Sequence, residues 1–459
     1  KRLIEGYLNQ PYSWFLNQNS ADLGKTVLSE VGQVIALGLN PFIEFISKSI
    51  VAIILITLLL LVNLKLAIII GLSIGGSYGL IFYFIKKFVF RIGKINLKNN
   101  KLRFLSISEA FNTIKEIKLG GLEANYIKRY HKSALSFADT SALSQVLNQL
   151  PRYILEGFAF GGVILLILYL ITQTGDLYKA LPIIGLYVFA GYRLMPAFQQ
   201  IYGSLTQSIF VTPALNNLYS TFKNLKNNYY NHNQEEILFI KEIVLKNINY
   251  SYQNNLKPTL VDINLKIPIK SKVGIIGPTG SGKTTLIDII LGLLEVQNGS
   301  LQVDNQIITK KNLRFWQKLI GYVPQNIHLS DDTIAANIAF GLEPKDINQE
   351  LVEEVSRIAN IHKFVSSELP HKYETNIGEN GVRLSGGQRQ RIGIARALYH
   401  SPKLLILDEA SSALDNHTEE QVMAAIKNIS KEITIIMIAH RLGTIKDCDI
   451  IINIEKGRI

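Results

Sequence analysis

The sequence predicts a multidomain membrane protein: an all-α membrane-spanning half followed by a soluble α/β half built on a parallel sheet. Three observations carry that reading. Residues 32–212 hold long apolar runs almost free of charge, whereas 235–459 have the mixed composition of a soluble domain. The run Gly277-Pro278-Thr279-Gly280-Ser281-Gly282-Lys283-Thr284-Thr285 follows a short apolar strand, Lys272–Ile276, and opens a helical pattern. Leu404-Leu405-Ile406-Leu407 ends in Asp408-Glu409, as a strand buried on both faces does when it delivers carboxylates at its carboxyl end. In open α/β sheets that end is where ligands bind.

Length and composition agree. A chain of 459 residues suggests two or more domains. Charged residues make up 18%, against about 25% in ordinary soluble domains, and the deficit falls in the first half. The net charge of +12 does not point to nucleic acid. Twelve Lys and Arg lie between Lys86 and Lys132 against Glu109, Glu116 and Glu123, flanked by apolar runs; this is the pattern of a positive-inside cytoplasmic loop. The single cysteine, Cys448, excludes an intrachain disulfide and suits a cytosolic face. No signal peptide is visible, and a chain that starts at Lys1 rather than Met reads as a fragment.

In chain order, 1–31 is amphipathic and broken by Pro11, as expected of a cytoplasmic loop or helix. Four spans follow, at about 34–62, 66–90, 153–172 and 181–205, within a membrane half assigned to 1–212; each is long enough for a hydrocarbon core of about 30 Å. In the first, Glu44 and Lys48 stand at i, i+4, as either a neutralising ion pair or a pair on a transport pathway would. In the second, Gly71, Gly75 and Gly79 recur every four residues, a spacing that lets helices approach closely. From 91 to 149 the pattern is polar and helical, interrupted at Gly120-Gly121. At 1.5 Å per residue some 50 residues extend about 75 Å, so this segment leaves the membrane, turns near 119–126 and returns. Arg193 sits in the middle of the fourth span. It is either paired with a glutamate of another helix or part of a cationic patch that attracts an anionic headgroup. Arg152, at the cytoplasmic end of its span, reads on position alone as a flank residue. An Asn-rich linker is expected at 213–234 and the soluble domain at 235–459.

The soluble half carries phosphate chemistry. G-x-x-x-x-G-K-T between strand and helix is a P-loop: its glycines let backbone N–H groups surround phosphates, Lys283 neutralises their charge and the Thr284 hydroxyl suits Mg²⁺. Asp408 suits the metal side and Glu409 the polarisation of water. Leu384-Ser385-Gly386-Gly387-Gln388 precedes an Arg-rich helical pattern and places N–H groups and a hydroxyl at a helix N-terminus. Strand ends also deliver Gln325 and His440.

Taken together and in this order, GPTGSGKTT, the Gln325 loop, LSGGQ, LLILDE, SALD and His440 resemble the ATP-binding-cassette superfamily across 235–459. The resemblance implies ATP and Mg²⁺. Phosphate binding falls to Gly277, Thr279, Gly280, Ser281, Gly282, Lys283, Thr284 and Thr285, and adenine stacking to Tyr252. Mg²⁺ contacts come from Thr284, Gln325 and Asp408, the catalytic carboxylate is Glu409, and His440 senses the γ-phosphate. Ser385, Gly386, Gly387 and Gln388 close over the nucleotide of a second copy, so a homodimer is expected. Thr375–Gly381, TNIGENG, resembles the TEVGERG segment of exporters with Asn380 in place of arginine. Spans ahead of one cassette look like a half-size exporter, which has six; residues 7–31 resemble the first coupling-helix region, so the first two spans are expected to be absent, and Gly457-Arg458-Ile459 falls short of the usual cassette end.

Pro151-Arg152-Tyr153-Ile154-Leu155-Glu156-Gly157 and Tyr192-Arg193-Leu194-Met195-Pro196 are similar to bacterial flippases of lipid-linked oligosaccharides. That implies a polyprenyl-pyrophosphate glycan as substrate in a bacterial inner membrane, cassette in the cytoplasm, with Arg152 and Arg193 on the pyrophosphate. The alternative is an exporter of another lipid, drug or peptide. A third arginine of that group is Gln200 here, which leaves the anionic site reduced or rearranged.

Overall fold

The computed structural model describes residues 1–62, 64–174, 177–225, 236–252, 257–409, 432–438, 446 and 448–459. They form two compact units. The first holds Lys1–Gln10 and Trp14–Asn228; the second holds Pro11–Ser13 and Tyr229–Ile459.

The first unit is helical. Short helices at Arg2–Leu8 and Ser20–Lys25 lead through π-helical turns at Thr26–Glu30 and Ile35–Leu39 into α1 (Asn40–Val62). Three longer helices and one short one follow: α2 (Leu64–Asn112), the short α3 (Ile114–Gly120), α4 (Glu123–Thr174) and α5 (Leu177–Asn224). The expected turn near 119–126 is present. Gly121 takes a left-handed φ of 60° and caps α3, a conformation open to glycine at no steric cost. Among the described residues, Ser20–Val62 and Ala67–Asn112 are long and apolar enough to cross a membrane.

Three expectations are corrected here. The linker does not begin at 213, because α5 runs through Pro213 to Asn224. Gly71 and Gly79 are not close-approach sites among the described residues: a Cβ at either would meet none of them within 4 Å. Close approach occurs elsewhere, as at Gly93, whose Cβ would sit 2.1 Å from the Phe210 carbonyl oxygen. Glu44 is not matched with Lys48 among the described ion pairs; it lines a polar pocket instead.

Polar contacts tie these helices to one another and to the entry segment. Lys25 is buried between Glu30 (2.6 Å) and Asp22 (2.9 Å), and Asp22 also meets Lys101. Asn217 donates to Glu30 at 2.7 Å, tying α5 to the entry segment. Asn96 donates to Thr140 and Ser141 at 3.0 and 2.9 Å, tying α2 to α4.

The second unit has two sheets. An antiparallel sheet, β2-β1-β4-β5, uses β1 (Glu242–Tyr250), β2 (Leu260–Pro268), β4 (Asn298–Val303) and β5 (Gln306–Ile307). A parallel sheet, β6-β7-β8-β3-β9, uses β3 (Lys272–Ile276), β6 (Ile320–Val323), β7 (Leu404–Asp408), β8 (Thr434–Ile438) and β9 (Ile450–Asn453). β7 and β8 are buried at every position, as strands covered on both faces must be. One apolar core joins both sheets to α6 (Lys283–Ile290) around Trp316, whose indole N–H donates to the Ile290 carbonyl at 2.7 Å. A second core packs α7 (Gly386–Leu398) against neighbouring short helices.

Candidate functional site

Parallel strands send all their carboxyl ends to one edge, and the motif residues gather there by register. The P-loop leaves β3, Gln325 lies just past β6, and Asp408 and Glu409 end β7, with β8 alone between β7 and β3. The loop needs its glycines. Gly277 has φ 147° and a Cβ there would lie 2.1 Å from the Ile454 carbonyl oxygen; Gly282, φ 109°, is the side-chain-free N-cap of α6. The loop is thus held against β9 while the first N–H groups of α6 stay uncapped.

The donors around this loop are unsatisfied or only locally satisfied. Lys283 is buried, and its ammonium donates to the Gly277 and Pro278 carbonyls at 2.8 and 3.0 Å. The Ser281 hydroxyl is buried without a hydrogen-bond partner among the described residues. Gly280 leaves open space where a side chain would be, and Thr284 is exposed. An orphaned hydroxyl, an ammonium and a bare helix N-terminus form a donor set that fits a polyphosphate.

The acidic side is coupled to it. Asp408 is buried and accepts a 3.3 Å hydrogen bond from the Tyr322 hydroxyl. Burial raises its pKa, the Glu409 charge adds to that, and Tyr322 and Lys283 work against it. Asp288, on α6, is pushed up to about 6 by burial and then by the Asp408 charge. Burial, with Asp408 and Asp288 next, drives the Tyr322 phenol up as well. Glu409 holds a left-handed φ of 52°, an uncommon state for a residue with a side chain. Its carboxylate accepts from Gln325 Nε2 at 2.7 Å, and its carbonyl accepts from Gln390 Nε2 at 3.3 Å. No group of three His, Cys, Asp or Glu is arranged as a metal site among the described residues. One carboxylate, a hydroxyl and an amide beside phosphate oxygens suit Mg²⁺, which prefers few protein ligands.

Other motif residues are placed differently. Tyr252 shares a hydrogen bond with the Thr285 hydroxyl at 3.1 Å and packs edge-on to Tyr250. Ser385 caps α7 in a full capping box: its hydroxyl accepts from Gln388 N–H at 3.2 Å, and Gln388 Oε1 accepts from Ser385 N–H at 2.8 Å. Two arginines of α7 are anchors: Arg391 donates to the Asn360 carbonyl and Arg396 to those of Asn337 and His328. Asn380 has φ 52°, a conformation that asparagine tolerates better than arginine. His440 and the SALD run lie outside the described residues. Tyr322, Asp288 and Gln390 belong to the site but stand out in no motif; only their positions at a strand end or one to two turns into a motif helix mark them.

In the helical unit Arg152 is ion-paired with Glu156 at 2.7 Å and exposed. Arg193 is also exposed, 6.0 Å from the Phe189 ring. Neither lines the polar pocket, and Gln200 does.

Comparison with known proteins decides the family. Residues 260–412 match the family described as ABC transporter, and 1–196 match the ABC transporter transmembrane region. A Rickettsia typhi relative with the words "export ATP-binding/permease protein" in its name is 34% identical over 473 residues, covering 100% of this chain and 79% of the relative. This chain belongs to the ABC transporter family. The exporter is also 29% identical over 468 residues to the ATP-dependent lipid A-core flippase of Cupriavidus pinatubonensis, covering 100% of this chain and 77% of that protein. Its fold matches a bacterial Atm1-family ABC exporter with ATP bound at a TM-score of 0.83 and 22% identity, over 100% of this chain and 80% of that one. It is therefore a membrane protein that couples ATP hydrolysis to transport.

Proposed function

We propose that this exporter works as a homodimer in a bacterial inner membrane, cassette in the cytoplasm, and flips a polyprenyl-pyrophosphate-linked oligosaccharide. The observation that carries the substrate class is Arg193. It is an exposed guanidinium within an apolar span, with an aromatic ring 6.0 Å away and no carboxylate partner among the described residues. Such a cation is costly in hydrocarbon unless it meets water or an anion, and a lipid diphosphate supplies the anion. The flippase relative supports an amphipathic lipid as cargo.

In the cassette, Lys283 and the N–H groups of Gly277, Thr279, Gly280, Ser281, Gly282, Thr284 and Thr285 hold the phosphates of ATP, and Tyr252 stacks on its adenine. Thr284, Gln325 and Asp408 would hold Mg²⁺, which neutralises phosphate charge when bound. Glu409, oriented by the 2.7 Å bond from Gln325, takes the proton of the attacking water, and His440 reads the γ-phosphate. Ser385, Gly386, Gly387 and Gln388 of one copy cover the nucleotide on the other.

Two experiments test this. Reconstituted protein should move a fluorescent pyrophosphate-linked glycan with ATP, and Arg193→Ala should cut that rate at least tenfold while hydrolysis persists. Unchanged flipping would sink the headgroup role, and transport restricted to other lipids, drugs or peptides would favour the alternative cargo. For the dimer, Lys283→Ala and Ser385→Arg chains should each be inactive alone. Mixed, they should regain hydrolysis, because one intact P-loop then faces one intact signature; a mixture that stays inactive argues against shared sites.

A further inference from the structure

The helical unit contains a cavity of about 210 Å³ whose wall is polar although its helices are apolar. Five primary amides line it, among them Gln199, Gln200 and Gln207 of α5 and Asn148 of α4, together with Glu44 of α1 and Ser204 of α5. By the orientation that the basic 86–132 segment implies, these residues lie at the cytoplasmic boundary of the membrane. Ser204 is 3% exposed and its hydroxyl has no hydrogen-bond partner among the described residues. Gly203 brings Asn148 against α5: a Cβ there would fall 2.5 Å from Asn148 Oδ1.

We infer that this cavity binds the neutral, hydroxyl-rich part of a lipid headgroup. The chemistry of the wall selects it. Each amide offers two donors and an acceptor, and the Ser204 hydroxyl offers one donor and two lone pairs. A sugar hydroxyl also donates and accepts, so a ring with several of them can satisfy an array of this kind. Among the described residues the wall carries no Lys, Arg or His, and its one charge is the Glu44 carboxylate, which repels phosphate. An ammonium would use Glu44 and leave most of the amides unmatched. The volume is several times a water's share of the liquid, about 30 Å³, so the cavity has room for a headgroup fragment. Ser204 is buried at this wall, and a buried group left unmatched carries a desolvation penalty, which favours an occupant that both donates and accepts. The inference rests on the exporter carrying an amphipathic lipid. It separates two recognition tasks: Arg193 for an anion, the amide cavity for the sugar.

The test uses the full chain in lipid nanodiscs with three photo-crosslinkable probes that share one tail: a monohexosyl lipid, a quaternary ammonium lipid and a lipid phosphate. Cross-linked peptides are read by mass spectrometry. The hexosyl probe should label the 199–207 segment, be displaced by unlabelled hexosyl lipid, and lose about tenfold or more of its labelling in Gln200→Leu. Asn148→Leu, on another helix, should give the same loss, and Gln200→Asn should retain part of the labelling. ATP binding in each variant confirms that the protein is folded. Stronger labelling by the ammonium or phosphate probe, no specific labelling by any probe, or hexosyl labelling unchanged in both leucine variants would overturn the assignment. Transport is scored separately. A hexosyl lipid that binds the cavity but is not moved by ATP counts against the flippase reading; one that is moved without touching the cavity counts against this site.

Discussion

The cassette's strand-end site and the amide cavity of the helical unit both place polar groups against an apolar background, and they do so by opposite means. In the cassette the polar groups come from contiguous motifs, and a parallel sheet gathers them at one edge. In the helical unit they come from α1, α4 and α5, more than 150 residues apart along the chain, from Glu44 to Gln207. The cassette pairs its polar groups in advance: Glu409 with Gln325, Asp408 with Tyr322, Lys283 with two loop carbonyls. Each site also keeps one buried hydroxyl without a partner among the described residues, Ser281 in the cassette and Ser204 in the cavity. A site for one invariant ligand can be built from fixed local pieces, whereas a site for variable cargo depends on how long helices happen to meet.

That contrast can be broken or sharpened in four ways. The largest effect is expected from Glu409→Gln, which should lower the rate of ATP hydrolysis by about 10²–10⁴-fold with nucleotide affinity nearly unchanged. Undiminished turnover would remove Glu409 from the chemistry. In the helical unit, Lys25→Met should cost about 3–5 kcal/mol, because it leaves Glu30 and Asp22 facing each other with one buried cation gone. Thermal unfolding followed by helical circular dichroism reads this, and Glu30→Gln should restore part of the loss.

The third concerns pH. Asp288 has a folded pKa of about 6 against an ordinary 3.8. A raised value means that its stabilising contribution is complete below the lower figure and is lost as pH climbs through the higher one. Asp288→Asn should therefore stabilise the cassette at pH 7, on the order of 2 kcal/mol, and flatten the fall in stability between pH 4 and 6. A denaturation series with an unchanged slope in the variant would show that Asp288 is not the titrating group. The smallest effect separates two jobs of one hydroxyl. Ser385→Ala should cost about 1 kcal/mol of stability and Ser385→Gly only a few tenths. Both should impair hydrolysis equally if the hydroxyl also serves the partner's nucleotide; impairment that tracks stability would leave it only the cap.

Much of the cassette site is legible because its ligands are a strand end, a glycine loop and a helix start, each with a local signature. Gly277 and Gly282 are needed where φ is positive and a neighbouring backbone is close. What escapes is side-chain pairing across the sheet. Nothing in the pattern says that Gln325 and Glu409, 84 positions apart, share a 2.7 Å hydrogen bond, or that Gln390 reaches the Glu409 carbonyl. In the helical unit the balance reverses. Apolar runs announce helices, but the partner of each polar residue is set by helix rotation and offset. Lys25 therefore finds Glu30, and Glu44 turns to a cavity instead of to Lys48.

By itself the sequence determined the two architectures, the edge of the sheet on which the phosphate chemistry gathers, and the break at Gly120-Gly121. Each follows from periodicity or from a backbone requirement that only particular residues meet. Tertiary structure decided that Asn217 of α5 reaches Glu30, that Asn96 of α2 meets Thr140 and Ser141 of α4, and that amides of α4 and α5 share one cavity with Glu44 of α1. The physical reason is the same throughout. A backbone demand is local and is written into neighbouring residues. A side-chain partnership across helices depends on a packing geometry that no short stretch contains.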